Sequence, residues 1–290
     1  MRHWLVANAD AGDGSRGRDF WLEHLRGAGL GDVAVRDFSD TTWAREVREG
    51  DLVMVAGGDG SVSRGAALCL ERNATLAVLP SGTANDFSRN LGLPEDPLEI
   101  CRLIASGRTV NVDVGWINDT LFLNVAHIGL GTVPARKASA NHKRALGRFS
   151  YLAVLARRIG IRWGFQARIT HDGGSIEGLW LSIAISSGAF FGGGQRIPEA
   201  TLDDGELNIV AVRPRSWVNL LMTFLVSRLR GRQPRDGSTL VHVKSTRCQV
   251  QLRHSRTLTA DGEDLGRIKE ATASTRPGAL RVVCERLLPA

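Results

Sequence analysis

The chain has 290 residues, 43% of them apolar and 23% charged, and carries a net charge of +7 at pH 7. That length suits two domains, or one large one, and the composition is that of a soluble globular protein rather than a disordered or fibrous one. Cys69, Cys101, Cys248 and Cys284 form no Cys-x-x-Cys pair, which argues against a disulfide framework or a zinc site and fits a reducing cytoplasm. The first residues lack signal-peptide design, and no apolar run approaches the ~20 residues that cross a bilayer.

In chain order, strand-like runs are expected at His3–Ala7, Val33–Phe38, Leu52–Ala56, Leu76–Leu79 and Thr109–Val114. Helix-like segments lie between them at Arg16–Arg26, Thr41–Arg48, Ser61–Leu70, Asn85–Leu91 and Pro97–Ala105. This alternation implies a doubly wound parallel sheet over roughly residues 1–118, with ligands at the carboxyl ends of its strands. The rhythm then changes. Short strand-like runs at Leu179–Ser186, Leu207–Val212, Leu240–Val243, Gln249–Leu252 and Thr257–Ala260 suggest a β-rich second domain over about 119–277, an antiparallel sandwich or barrel. Two helical segments interrupt it, near Leu146–Ile159 and Trp217–Leu229; the apolar stripe of the second reads as core packing or, more sharply, as membrane contact.

Charge is unevenly placed. From Thr120 to His171 there are nine Lys/Arg and no acid, and from Leu207 to Arg235 six Arg and no acid. Such stretches are either a solvated basic face or a surface for an anionic membrane. Aromatic interleaving is sparse and no nucleic-acid module is recognisable, so nucleic acid ranks below membrane as a partner.

Two glycine-rich turns carry the strongest chemical signal: Gly57-Gly58-Asp59-Gly60-Ser61 and Pro80-Ser81-Gly82-Thr83-Ala84-Asn85-Asp86-Phe87. Each follows a strand and opens a helix, an arrangement that presents free backbone N–H groups and a positive dipole end to an anion. Asp59 and Asp86 beside bound phosphates make sense chiefly with Mg²⁺ between them. A rival, Gly12-Asp13-Gly14-Ser15-Arg16-Gly17 with Asp37 after it, outlines a dinucleotide fingerprint and keeps an NAD-binding oxidoreductase as the alternative. Asp203-Asp204-Gly205-Glu206 reads as a turn or a cation site, and Asp261-Gly262 as a hairpin turn.

Taken in order, GGDGS, PSGTANDFSRNLGLP, GAFFGGGQRIPEATLDDGELNI and TADGE resemble the diacylglycerol kinase catalytic-domain family, which includes sphingosine kinases and bacterial soluble lipid kinases. The resemblance implies an ATP- and Mg²⁺-dependent lipid kinase of phospholipid metabolism, most simply acting on diacylglycerol or a related lipid at the inner face of the membrane. It implies that a C-terminal segment near 278–290 returns to the first domain, with the site in the cleft between the two. Asn8, Gly12, Gly57, Gly58, Gly60, Ser61, Arg64, Ser81, Gly82, Thr83 and Asn85 would then contact the nucleotide. Asp59 and Asp86 would organise Mg²⁺, Glu263 would accept the proton with Asp261 close by, and Thr201, Asp204 and Glu206 would form a structural Mg²⁺ loop. Ser39 and Thr41 compete for a further nucleotide contact. The lipid's identity and the oligomeric state, monomer or homodimer, are not set by the sequence. A catalytically silent nucleotide- or lipid-binding regulator is a third reading, disfavoured by the retained acids at 59, 86 and 263.

Overall fold

The computed structural model describes residues 1–7, 16–40, 42–129, 164–191, 195–197, 200–214 and 240–287. The helical segments expected near 146–159 and 217–229 lie outside these residues, as do Asn8, Gly12 and Thr41.

The first half is an α/β domain. Strands β1 (His3–Ala7), β2 (Ala34–Asp37), β3 (Leu52–Gly57) and β4 (Thr75–Pro80) pair in parallel in the order β4-β3-β1-β2. Every residue of β3 and β4 is buried, as strands covered on both faces require. Helices α1 (Arg18–Gly27) and α4 (Pro97–Ser106) bring Trp21, Leu25, Ile100, Cys101 and Ile104 to one face, while α2 (Asp59–Arg72) brings Val62, Ala66 and Cys69 to the other. Helix α4 has the start and stop that its sequence dictates. Asp96 caps the N–H of Leu98 at 3.2 Å, Pro97 takes the first position, and Gly107 at φ 67° ends it. A five-residue helix α3 (Asp86–Asn90) follows β4. The helix expected over Thr41–Arg48 is a single 3₁₀ turn, Trp43–Arg45, because among the described residues of this segment only Trp43 and Val47 are buried in the core before Gly50 turns the chain.

The second half is β-rich. Its strands are β5 (Thr109–Ile117), β6 (Thr120–Phe122), β7 (Val125–Gly129), β8 (Phe165–His171), β9 (Gly174–Trp180), β10 (Ser182–Ser186), β11 (Phe190–Phe191), β12 (Gln195–Arg196), β13 (Leu207–Val212), β14 (Leu240–Ser245), β15 (Arg247–Ala260) and β16 (Glu263–Val283). They pair antiparallel with one another. A core of Phe122, Ile128, Trp180, Ile183, Ile185, Val250 and Leu258 lies between their faces. The run expected at Leu179–Ser186 breaks at Leu181 into β9 and β10, and the two runs at 249–252 and 257–260 are one strand, β15, interrupted by register shifts.

Strand β16 joins the halves. It leaves β15 through the two-residue turn Asp261-Gly262, runs antiparallel to β5, and ends with Val282 paired in parallel to Leu76 of β4. Both turn residues have positive φ, 46° and 89°, the type I′ geometry for which Asp-Gly is suited. Among the described residues no helix is long and apolar enough to cross a membrane.

Candidate active site

The two glycine-rich turns lie against each other at the carboxyl ends of β3 and β4. Ser81 N–H donates to the Gly57 carbonyl at 3.0 Å, locking the turns in register. A Cβ on Gly82 would come within 2.5 Å of Gly58 Cα, and one on Gly57 within 2.5 Å of Ser61 Cβ, so side chains are excluded where the backbones meet. Gly58 precedes α2 in an extended conformation without a side-chain cap. The first N–H groups of that 14-residue helix are therefore left without a side-chain cap at its positive dipole end, beside the meeting point of the two turns.

Asp59 opens α2. Its Oδ1 accepts from Phe87 N–H at 3.1 Å and from Asn124 Nδ2 at 3.3 Å. Burial pushes its carboxyl above the ordinary value against the pull of the Phe87 N–H, and the charges of Asp86 and Asp261 push it further. Asp86 is buried at the start of α3, with Arg89 Nη1 at 3.1 Å. Neighbouring carboxylates beside uncapped N–H groups are a donor set that fits a hard divalent cation held with phosphate oxygens.

The second domain contributes a hairpin. Glu263 begins β16 opposite Ala260, and its Oε1 lies 3.9 Å from where a Cβ on Gly60 would sit, over the first turn of α2. Asp261 fixes that hairpin. Its carboxylate accepts from three successive N–H groups, Leu123 at 2.7 Å, Asn124 at 2.9 Å and Val125 at 3.0 Å, and from Ser63 Oγ of α2 at 2.7 Å. Burial pushes its carboxyl upward, opposed by these four donors. With its lone pairs so engaged, Asp261 is built to hold the hairpin against α2 rather than to face a reacting group.

Several expected nucleotide contacts are occupied otherwise. The Ser81 hydroxyl is buried between Trp21 Nε1, which donates to it at 2.8 Å, and the Leu79 carbonyl. Asn85, at φ 49°, closes its own turn by accepting from Gly82 N–H at 2.9 Å and donating to the Gly82 carbonyl at 2.8 Å. Arg64 stacks over Phe38 and donates to the Phe38 carbonyl at 3.2 Å, so it shapes the end of β2. Gly60 and Ser61 are half-buried and Thr83 is exposed. Asp37, the acid of the dinucleotide alternative, accepts from Ser39 N–H at 2.7 Å.

At the loop expected to hold a structural Mg²⁺, the acids have a partner within the fold. Among the described residues no group of three or more His, Cys, Asp or Glu side chains is arranged to hold a metal ion. Asp204 and Glu206 both approach Lys244. Asp204 Oδ2 meets Lys244 Nζ at 2.7 Å, and Asp204 Oδ1 accepts from Glu206 N–H at 3.1 Å.

Two site residues escaped the sequence reading. Asn124 is buried at the β6–β7 corner, accepts from Asn90 Nδ2 at 3.1 Å, and holds Asp59. Ser63 ties α2 to Asp261. The only signal for Asn124 was an amide inside the apolar run Leu121–Ile128.

Residues 2–117 match the diacylglycerol kinase catalytic domain, and residues 125–284 match the YegS C-terminal NAD kinase beta sandwich-like domain. A Klebsiella pneumoniae (strain 342) protein named "Probable lipid kinase YegS-like" is 32% identical over 235 residues, covering 80% of this chain and 77% of its own. A "Diacylglycerol kinase" of Bacillus subtilis (strain 168) is 27% identical over 221 residues, covering 75% and 72%. Among solved structures, a diacylglycerol kinase from Bacillus anthracis str. Sterne superposes with a TM-score of 0.75 at 23% identity, covering 98% of this chain and 97% of the other. An NAD kinase from Archaeoglobus fulgidus, solved in complex with ATP, shares the fold at a TM-score of 0.51 and 14% identity, with 98% and 93% covered.

Proposed function

This chain belongs to the diacylglycerol kinase catalytic-domain family, beside the YegS-like lipid kinases, and from that membership we propose that it transfers the γ-phosphoryl group of ATP to the hydroxyl of diacylglycerol or a related lipid. The observation that carries the reading is the placement of Glu263, a carboxylate from the second domain, over the helix start where the two glycine-rich turns meet. Phosphoryl transfer asks for positioning and charge stabilisation more than for covalent catalysis.

In this reading the N–H groups at the start of α2 hold phosphate oxygens, with Gly57, Gly58 and Gly82 allowing backbone to approach where a side chain would block it. Asp59 and Asp86 would hold Mg²⁺, which when bound offsets the negative charge gathered on the phosphates. Asn124 and the Phe87 N–H keep Asp59 aimed at the cleft. Glu263 accepts the proton of the attacking hydroxyl, and Asp261 sets where Glu263 stands by pinning the hairpin to α2 and to the β6–β7 corner. The acceptor's apolar tail belongs to the second domain.

Glu263→Gln is expected to lower kcat by about 10²- to 10⁴-fold with the unfolding temperature retained, the range for losing a general base. Asp86→Asn is expected to abolish Mg²⁺-dependent turnover. Both are read by transfer of labelled phosphate from ATP to a panel of lipid acceptors; near wild-type activity in either variant overturns the assignment. The basic stretches, most of which lie outside the described residues, support docking on an anionic membrane from the cytoplasmic side. Sedimentation with anionic liposomes at low salt, lost at high salt, is the expected result.

A further inference from the structure

At the loop before β13, the family resemblance implies a structural Mg²⁺, and the residues of this chain do not fit one. The loop is already closed by its own groups. Asp204 Oδ1 accepts from Glu206 N–H, and the Asp113 carboxylate of β5 accepts from Gly205 N–H at 2.6 Å and from Gly278 N–H at 2.7 Å. The remaining oxygen of Asp204 lies 2.7 Å from Lys244 Nζ, and Glu206 Oε2 lies 3.9 Å from the same nitrogen.

We infer that Lys244 is a built-in cation that takes the place of a divalent metal at the loop 201–206, making this part of the fold independent of Mg²⁺. The placement follows from strand register. Lys244 on β14 sits opposite Asn208 on β13, so its side chain rises on the face that Glu206, two residues earlier, also occupies. The side chains of Lys244 and Asp204 are 30% and 20% exposed, so each charge is partly withdrawn from water and needs the other. Acids crowd the position: the charges of Asp204 and Asp203 both raise the Asp113 carboxyl, after burial, which is the larger cause. A hexacoordinate ion would have to take Asp204 away from an ammonium already at contact distance, and Mg²⁺ gives up its waters reluctantly. A tethered ammonium supplies the positive charge with no dependence on metal concentration. The inference is separate from the kinase reading and holds whatever the acceptor lipid.

The test is thermal unfolding of the full chain carrying Asp86→Asn, which removes one of the two proposed cleft ligands, in EDTA and then in millimolar MgCl₂. The unfolding temperature is expected to be the same in both. Adding Lys244→Met is expected to lower it by a few degrees in EDTA and to make it rise with Mg²⁺, while Lys244→Arg keeps most of the wild-type value. If Lys244→Met does not fold, the pair Lys244→Met with Asp204→Asn is expected to fold, since both charges leave together. A saturable Mg²⁺-dependent rise with Lys244 intact that disappears in Asp204→Asn would overturn the inference, as would a Lys244→Met protein equal to its parent in EDTA.

Discussion

The tripeptide Asp-Gly-Glu occurs twice in this chain, at 204–206 and at 261–263, and the two copies have different surroundings. Both contain a glycine in the left-handed region, at φ 73° and 89°. At 261–263 the aspartate faces only neutral donors, three N–H groups and a hydroxyl, and the glutamate is delivered to the start of α2. At 204–206 the aspartate meets an ammonium and the glutamate stands at its edge. The first environment fixes a turn with no cation of its own, which suits the proposed cation site beside it. The second neutralises its acids within the fold. Local sequence does not choose between these outcomes; the elements packed against each turn do.

The largest expected difference between the copies is in stability. Asp261→Ala strips the acceptor from three backbone N–H groups and is expected to cost about 2–5 kcal/mol, against roughly 1 kcal/mol for Asp204→Ala. Equal losses in urea unfolding would remove the distinction between the turns.

The sign of a neighbouring charge sharpens the same contrast. Among the described residues Asp59 has no cationic side chain as a hydrogen-bond partner, and its carboxyl lies above the ordinary value. The folded state therefore binds that proton more tightly than the unfolded chain does. Stability falls as pH rises from the ordinary aspartate range through the raised value, and the penalty is complete above it. Asp59→Asn is thus expected to raise the unfolding temperature at neutral pH in EDTA, with the gain shrinking on acidification, while turnover is lost. Asp204→Asn, which deprives Lys244 of its partner, is expected to lower that temperature. The smallest effect is predicted for Glu206→Gln: stability within about 0.5 kcal/mol and unchanged kcat, in contrast to Glu263→Gln.

Much of the site was legible in the sequence because its parts are local. Gly57–Ser61 and Ser81–Asp86 announce a strand, a bare turn and a helix start within a few residues, and Asp261-Gly262 announces its own hairpin. What was hidden depends on distant partners. The Ser81 hydroxyl looked available for phosphate because Trp21, which claims it, is 60 residues away. The ammonium beside Asp204 was hidden because Lys244 is 40 residues away. Strand β16 was missed over most of its length because it changes neighbours along its course. Its exposed residues give no single alternation to read.

That strand has a consequence for the order in which the molecule is completed. On a growing chain, β16 emerges after both halves it connects, and it carries Glu263 at one end and the partner of Leu76 at the other. Until then the parallel sheet has an open edge beside β4 and Glu263 is absent from the start of α2. Closing the edge requires contacts across most of the chain, the slowest kind to form. If Glu263 is the base proposed above, nascent protein is expected to hold its glycine-rich turns before it can turn over, and completion of the chain switches it on.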